Sequence, residues 1–521
     1  MKSRTLILAT AIALLTALAM PVPLAAQHTK YKLIDLGTFG GPASLIAPSS
    51  GGPQNPARAL TSRGVVVGQA ETATPDPFSP NCFNPYCLAS HAFRWQDGVL
   101  TDLGTLEGVD SDLSSGANWI NDRGWIAGAS YSGGIDPVTG FPARHAVLWK
   151  NGEIVDLGTL GEDFSEANAL NNRGQVVGLS LNGIPDPVSF FDQPTESRAF
   201  LWQNGVMQDL GTLGGLDAGA FAVNESGQVA GISTTSATPN ATTGIPTVHP
   251  FLWERGRMID LGTLGGTFSG VDGPAILLNN RGQVAGTSTL AGDVNPATGG
   301  LIYHPFLWER GVIKDLGTLG GDTGFVNWIT DAGDVMGQAD LPGPSGSQNH
   351  HAFLWRNGVK TDLGSLGSSS HGEGINSQGQ IVGRYRIAEL ENPRQHAFLW
   401  ENGGPMVDLN TLIPPNSSLE LEEGGNINDR GEIAGRGVPP GCDDVDACGH
   451  AFILIPCDNA VTCETNIDVT TAGIQNNAAL INRPSTTSTQ APRTEMQILS
   501  AWRARLSQRY HIRGLGAWPR D

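Results

Sequence analysis

The chain has 521 residues, a formal net charge of −19, 16% charged side chains and 69 glycines. So acidic a balance argues against nucleic acid as a partner, because that binding draws on basic contacts to phosphate. Abundant glycine with few charges suits many short strands joined by turns.

At the N-terminus, Lys2 and Arg4 precede an apolar run from Leu6 to Met20 and then small residues around Ala25 and Ala26. This pattern predicts a cleavable secretory signal over residues 1–26 and an extracellular or periplasmic location. The run is short for a bilayer, and no other stretch approaches the roughly 20 apolar residues of a transmembrane helix, so no membrane span is expected.

Beyond the signal, the chain is dominated by self-similarity. His-Ala-Phe-Leu-Trp or a close variant starts at His91, His145, Arg198, His249, His304, His351, His396 and His450. Each of the first seven copies leads through a turn into a run ending in Asp-Leu, at Asp102, Asp156, Asp209, Asp260, Asp315, Asp362 and Asp408. Between them recurs a second motif, typified by Ala169-Leu170-Asn171-Asn172-Arg173-Gly174-Gln175-Val176-Val177-Gly178. Its turn glycines are Gly64, Gly124, Gly174, Gly227, Gly282, Gly333, Gly379 and Gly431.

Both motifs read as hairpins. Asn151-Gly152 and its equivalents allow a two-residue turn with positive φ whose twist matches paired strands. The glycine of Asn-Asn-Arg-Gly can take the left-handed conformation that side chains disfavour. Each unit therefore supplies four antiparallel strands, and units recurring about every 50 residues predict an all-β, eight-bladed propeller over residues 27–464. Variable length sits between the second and third strands, so one face should be rich in loops.

The eighth unit lacks an Asp-Leu strand, whereas Tyr31–Gly37 is such a strand with no His-Ala-Phe strand before it. The last blade is therefore expected to be closed by the N-terminal strand, with Asp35 serving His450. Within a unit, Lys150 should pair with Glu153, Trp149 with Ile154, Leu148 with Val155 and Val147 with Asp156, which puts His145 and Asp156 on one sheet face.

At His-Ala-Phe-Leu-Trp, Asp-Leu-Gly-Thr-Leu-Gly-Gly and Asn-Asn-Arg-Gly-Gln-Val-Val-Gly, the chain resembles the HAF-repeat family of bacterial extracellular proteins over roughly residues 31–455. The resemblance implies export and a repeated β-fold, and it carries no activity to transfer. Arg198, Pro250, Pro305 and Leu454 depart from the motif.

Seven of the eleven histidines begin the third strand. Catalysis needs unlike groups converging on one place, so histidines recurring once per blade read as structural, each fixing its blade's outer hairpin by a hydrogen bond. The motif tryptophans read as inter-blade packing. No phosphate loop, zinc helix, nucleophile elbow or metal motif occurs, and no cofactor is expected. Cys82 with Cys87, Cys442 with Cys448 and Cys457 with Cys463 are expected to form loop disulfides.

Individuality should lie in the long loops 74–90, 129–144 and 179–197, which carry Asp-Pro dipeptides and the aromatics Phe78, Phe83, Tyr86, Phe141, Phe190 and Phe191. These rings either form a contact surface or fold back over the blade tops. Residues 465–493 read as a Ser/Thr/Pro-rich linker and 494–521 as a basic amphipathic tail that docks on its own body, a membrane surface or a partner, or stays disordered. Together these features point to a monomeric, non-enzymatic exported propeller that presents loops to a glycan or an extracellular protein. The alternative is a carbohydrate hydrolase or lyase using acidic residues at the central channel.

Overall fold

The computed structural model describes residues 29–46, 58–79, 82, 87–137, 141–191, 193–240, 246–269, 276–294, 301–343, 349–387, 394–401, 403–457 and 463. The expected signal, linker and tail lie outside them, as do Phe83 and Tyr86.

Eight antiparallel sheets form an eight-bladed β-propeller. Blade 3 is representative, with Ser165–Leu170, Val176–Pro185, Thr195–Gln203 and Val206–Asp209 adjacent in chain order. Blade 5 differs only in that its first strand lies in two pieces, Gly265–Ser269 and Leu277–Leu278, both paired with Val284–Val294. The outer hairpin has the expected register: Lys150 opposes Glu153, and Val147 opposes Asp156. Its turn is left-handed at both centres, with φ 56° at Asn151 and 84° at Gly152.

Blade 8 closes the ring. Its sheet runs Glu420–Ile427, Ile433–Val438, His450–Pro456 and then Tyr31–Asp35, with Leu33 opposite Leu454 and Asp35 opposite Phe452. Tyr31 is 1% exposed and packs among Val382 and Leu399 of blade 7 and Leu421 and Leu454 of blade 8. Docking the N-terminal strand thus covers an edge that would otherwise present unpaired backbone groups.

The structure corrects one sequence expectation. In blades 1 to 5 the third strand begins before the histidine position, at Leu88, Pro142, Thr195, Pro246 and Leu301. The cause is a lengthened second strand, which pairs beyond a register shift, as Ile135 does with Pro142. Part of each variable loop is therefore a two-stranded ribbon.

Two devices explain the second motif. The first strand carries a β-bulge, for example between Ala167 and Ala169, which pushes a carbonyl toward the second strand. A Cβ on Gly178 would lie 1.8 Å from the Glu166 carbonyl oxygen, so only glycine fits there. The motif asparagine closes its own turn and reaches the next blade. Asn171 Oδ1 accepts from the backbone N–H groups of Arg173 and Gln175, both at 3.0 Å, while its Nδ2 donates to the Asn224 carbonyl at 2.9 Å. The same link joins Asn121 to Asn171, Asn224 to Asn279, Asn279 to Thr330, Asn376 to Asn428 and Asn428 to Thr61. Thr61 and Thr330 replace asparagine in blades 1 and 6 and have no amide with which to continue the chain of bonds.

Packing between blades uses the third strand. Phe93, Phe200, Phe251, Phe306, Phe353, Phe398 and Phe452 are fully buried. Trp149 of blade 2 donates from Nε1 to the Leu103 carbonyl at 2.9 Å and packs against Ala92 of blade 1, the inter-blade role expected of the motif tryptophans. The alanine N–H of the motif reaches a serine of the following blade, as Ala146 does Ser165 Oγ at 2.8 Å. Pro305 cannot donate, and the position facing it is Gly324, whose Cβ would meet the proline ring at 3.1 Å.

Candidate functional site

The repeated histidines each meet the aspartate of their own blade. Nδ1 of His91, His145, His249, His304, His351, His396 and His450 lies 2.8–3.0 Å from the carboxylate of Asp102, Asp156, Asp260, Asp315, Asp362, Asp408 and Asp35 respectively. In blade 3, Arg198 substitutes for histidine and its Nε donates to Asp209 at 3.0 Å. The aspartate's other role explains Asp-Leu-Gly, since Asp156 Oδ1 accepts the Gly158 N–H at 2.8 Å and Leu157 N–H returns to the Ala146 carbonyl at 3.0 Å. The Asp156 hydrogen bond raises the His145 pKa against the effect of burial. Burial alone would raise Asp156, but the bond from His145 and the Gly158 N–H hold it below the usual range.

The candidate contact aromatics do not gather in one place. Phe78 is half-buried and meets Tyr131 edge-on at 5.2 Å. Phe141 is 49% exposed on the blade 2 ribbon. Phe190 folds back into a cluster with Phe221, Ile232 and Val248, and Phe191 packs against it. Beside Phe78, on the loop-rich face, a cleft of about 830 Å³ opens between blades 1 and 2. Pro77, Phe78 and Leu113 line it together with the acidic residues Glu107, Asp110 and Asp112. The disulfide Cys82–Cys87, with Cα atoms 5.1 Å apart, lies in the loop that carries Phe78. The other expected pairs, Cys442–Cys448 and Cys457–Cys463, are also bonded.

A second departure from repetition carries no recognisable motif. The residue after the second-strand glycine is small, apolar or neutral in blades 1 to 6 but is Arg384 in blade 7 and Arg436 in blade 8. Arg384 lies 3.7 Å from Glu373 and 3.5 Å from Glu423, and Arg436 lies 2.8 Å from Glu423 and 2.9 Å from Asp446. Glu373 occupies the bulge position that holds asparagine in blades 2, 3 and 6, on the first strand, Ser369–Ile375. Burial pushes Glu373 up to about 7 despite Arg384. Burial also opposes ionisation of Glu423, but Arg436 and Arg384 outweigh it and hold that carboxyl below its usual value. Next to it, the two propeller histidines outside the motif, His350 and His371, meet Nε2 to Nε2 at 2.6 Å. Burial, with Arg384, His350 and Arg386 nearby, keeps His371 neutral. Aligning the eight units and reading only their exceptions would have found this sector. Among the described residues no group of three or more metal-ligating side chains occurs.

No family model and no curated protein matches the chain. Among solved structures it is similar to the acylaminoacyl peptidase of Pyrococcus horikoshii, at 12% identity and a TM-score of 0.38, over 78% of this chain and 60% of that one. It is also similar to the β-propeller domain of the Trilobed protease from Pyrococcus furiosus, at 7% identity and a TM-score of 0.38, covering 71% and 96%. A third is an ulvan lyase of a polysaccharide lyase family, at 10% identity and a TM-score of 0.36, covering 74% and 100%. This chain therefore spans about three-fifths of the length of the first. These likenesses say nothing about its chemistry.

Proposed function

We propose that the chain is an exported propeller whose loop-rich face binds a glycan in the cleft between blades 1 and 2. One observation carries the reading: a ring, Phe78, and three carboxylates, Glu107, Asp110 and Asp112, line one cleft whose volume falls in the range of small-ligand sites. The Phe78 ring suits the C–H face of a sugar, and the carboxylates accept hydrogen bonds from its hydroxyls. Export draws support from the predicted signal and from the three disulfides. The recurring motifs support a place in the HAF-repeat family. Among the described residues no helix is long and apolar enough to cross a membrane. Screening the full chain on a glycan array, with Phe78→Ser and Asp110→Asn beside it, tests the reading. Binding should fall at least tenfold in both variants; undiminished binding by both would place the ligand elsewhere.

A second reading, a carbohydrate hydrolase or lyase, is favoured by one feature. Glu373 and Glu423 share Arg384 yet their pKa values are pushed in opposite directions, and groups pushed apart in this way suit acid and base roles. Release of new sugar ends by the wild type and its loss in Glu373→Gln would favour this reading over binding alone.

A further inference from the structure

The Asp-Pro dipeptides of the first three long loops share a position. Asp76, Asp136 and Asp186 are all nearly buried, and each closes the neck of its loop through its backbone N–H, to Cys87, Phe141 and Pro194 respectively. Asp76 and Asp186 also accept the N–H two residues on, from Phe78 at 2.9 Å and Val188 at 2.8 Å. What faces the carboxylate differs from seam to seam.

Between blades 1 and 2 the partner is a hydroxyl. Ser114 Oγ accepts the Ser90 N–H at 3.1 Å and donates to Asp76 Oδ2 at 3.2 Å. Asp217 holds the equivalent place between blades 3 and 4. It accepts the Ser197 N–H at 2.9 Å, its carbonyl receives Thr234 N–H as that of Ser114 receives Tyr131 N–H, and its carboxyl and that of Asp186 act on each other. A carboxyl can donate there as the serine does only when it carries a proton.

Asp217 also holds the loop shut. Its Oδ2 accepts the Phe190 N–H at 2.5 Å and the Ser189 hydroxyl at 3.2 Å, keeping Phe190 and Phe191 in the core. We infer that the Asp186–Asp217 carboxyl pair is a proton-operated clasp, which stows Phe190 and Phe191 when it holds a proton and releases their loop when it loses it. The other charged groups facing the pair are Glu196, which acts on Asp186, and Arg198, 3.6 Å from Glu196; neither neutralises both carboxyls. Glu162 repeats the device one seam earlier. It is 5% exposed, and its pKa is raised by burial, with the Asp136 carboxyl adding to the rise.

Burial and Asp186 push Asp217 up to about 6. A carboxyl raised in the closed state favours closure fully below its free value near 4 and loses that preference as pH rises through about 6. Two pH units correspond to a shift of about 100-fold in the opening equilibrium. The clasp is independent of any ligand, so its test is structural. Amide hydrogen exchange of the peptide around Phe190 in the full chain, corrected for intrinsic rates, should show opening rise by up to about 100-fold from pH 4 to 7.5. Asp186→Asn lets an amide donate to ionised Asp217, so the loop should stay closed across that range, while Asp217→Asn should also remove the pH response. A flat wild-type profile, or the same response in either variant, would overturn the inference. A strand peptide from blade 6, measured in the same samples, separates loop opening from global unfolding.

Discussion

Replacing Tyr31 with alanine tests how the ring is held together. Tyr31 is 1% exposed and sits on the first described strand, yet its neighbours belong to the last two blades. Its backbone N–H bonds to the Leu412 carbonyl at 2.9 Å, and the register continues to Asp35 opposite Phe452. Truncating a buried aromatic of this size typically costs about 3–5 kcal/mol, from lost transfer energy and the cavity left behind. That is a large share of the roughly 5–15 kcal/mol that holds a folded domain. Urea unfolding followed by tryptophan fluorescence should therefore show a much lower midpoint for Tyr31→Ala. Val312→Ala is the control, since Val312 is 65% exposed on an outer strand, and a surface change of this kind should stay within about 0.5 kcal/mol. Equal midpoints for the two variants would mean that the N-terminal strand does not close blade 8.

The asparagine links between blades make two further predictions. Asn171→Ala leaves two turn N–H groups without their acceptor and removes one of the two bonds to the Asn224 carbonyl, so stability should fall by at least about 2 kcal/mol. Thr330→Asn supplies the missing amide toward Asn376, and a gain of about 0.5–1.5 kcal/mol in chemical unfolding is expected. The His145 pair adds a pH dependence. Its imidazole pKa is raised in the fold by Asp156, so the stabilisation is present below about 6.5 and fades as pH climbs through the folded value. His145→Gln should therefore cost more at pH 5 than at pH 8, and an NMR titration should place the wild-type ring above 6.5; a value below that would reverse the sign.

The repeat makes much of this fold legible in the sequence alone. Turn chemistry at Asn151-Gly152 set the outer-hairpin register, and counting strands placed Tyr31–Asp35 beside His450–Pro456. Three features stayed hidden for physical reasons. The bulge at Asn168 leaves no mark in a period-two pattern, so the purpose of Gly178 showed only once the Glu166 carbonyl was seen against it. The ribbons that end at Ile135 and Pro185 are rich in glycine and proline and read as loop. The Arg384 and Arg436 sector escaped because reading for what recurs suppresses what does not. Phe190 shows the same limit: its ring resembles that of Phe141 in sequence, and only the bond from its N–H to Asp217 marks it as stowed.

The binding reading is tested most directly by a crystal structure of the chain soaked with short oligosaccharides selected on the array. Density for a sugar ring against Phe78, with hydroxyls on Asp110 and Asp112, is the predicted result. Density confined to the sector of Glu373, Arg384 and Glu423, with the blade 1–2 cleft empty, would contradict it and move the function to the seam of blades 7 and 8.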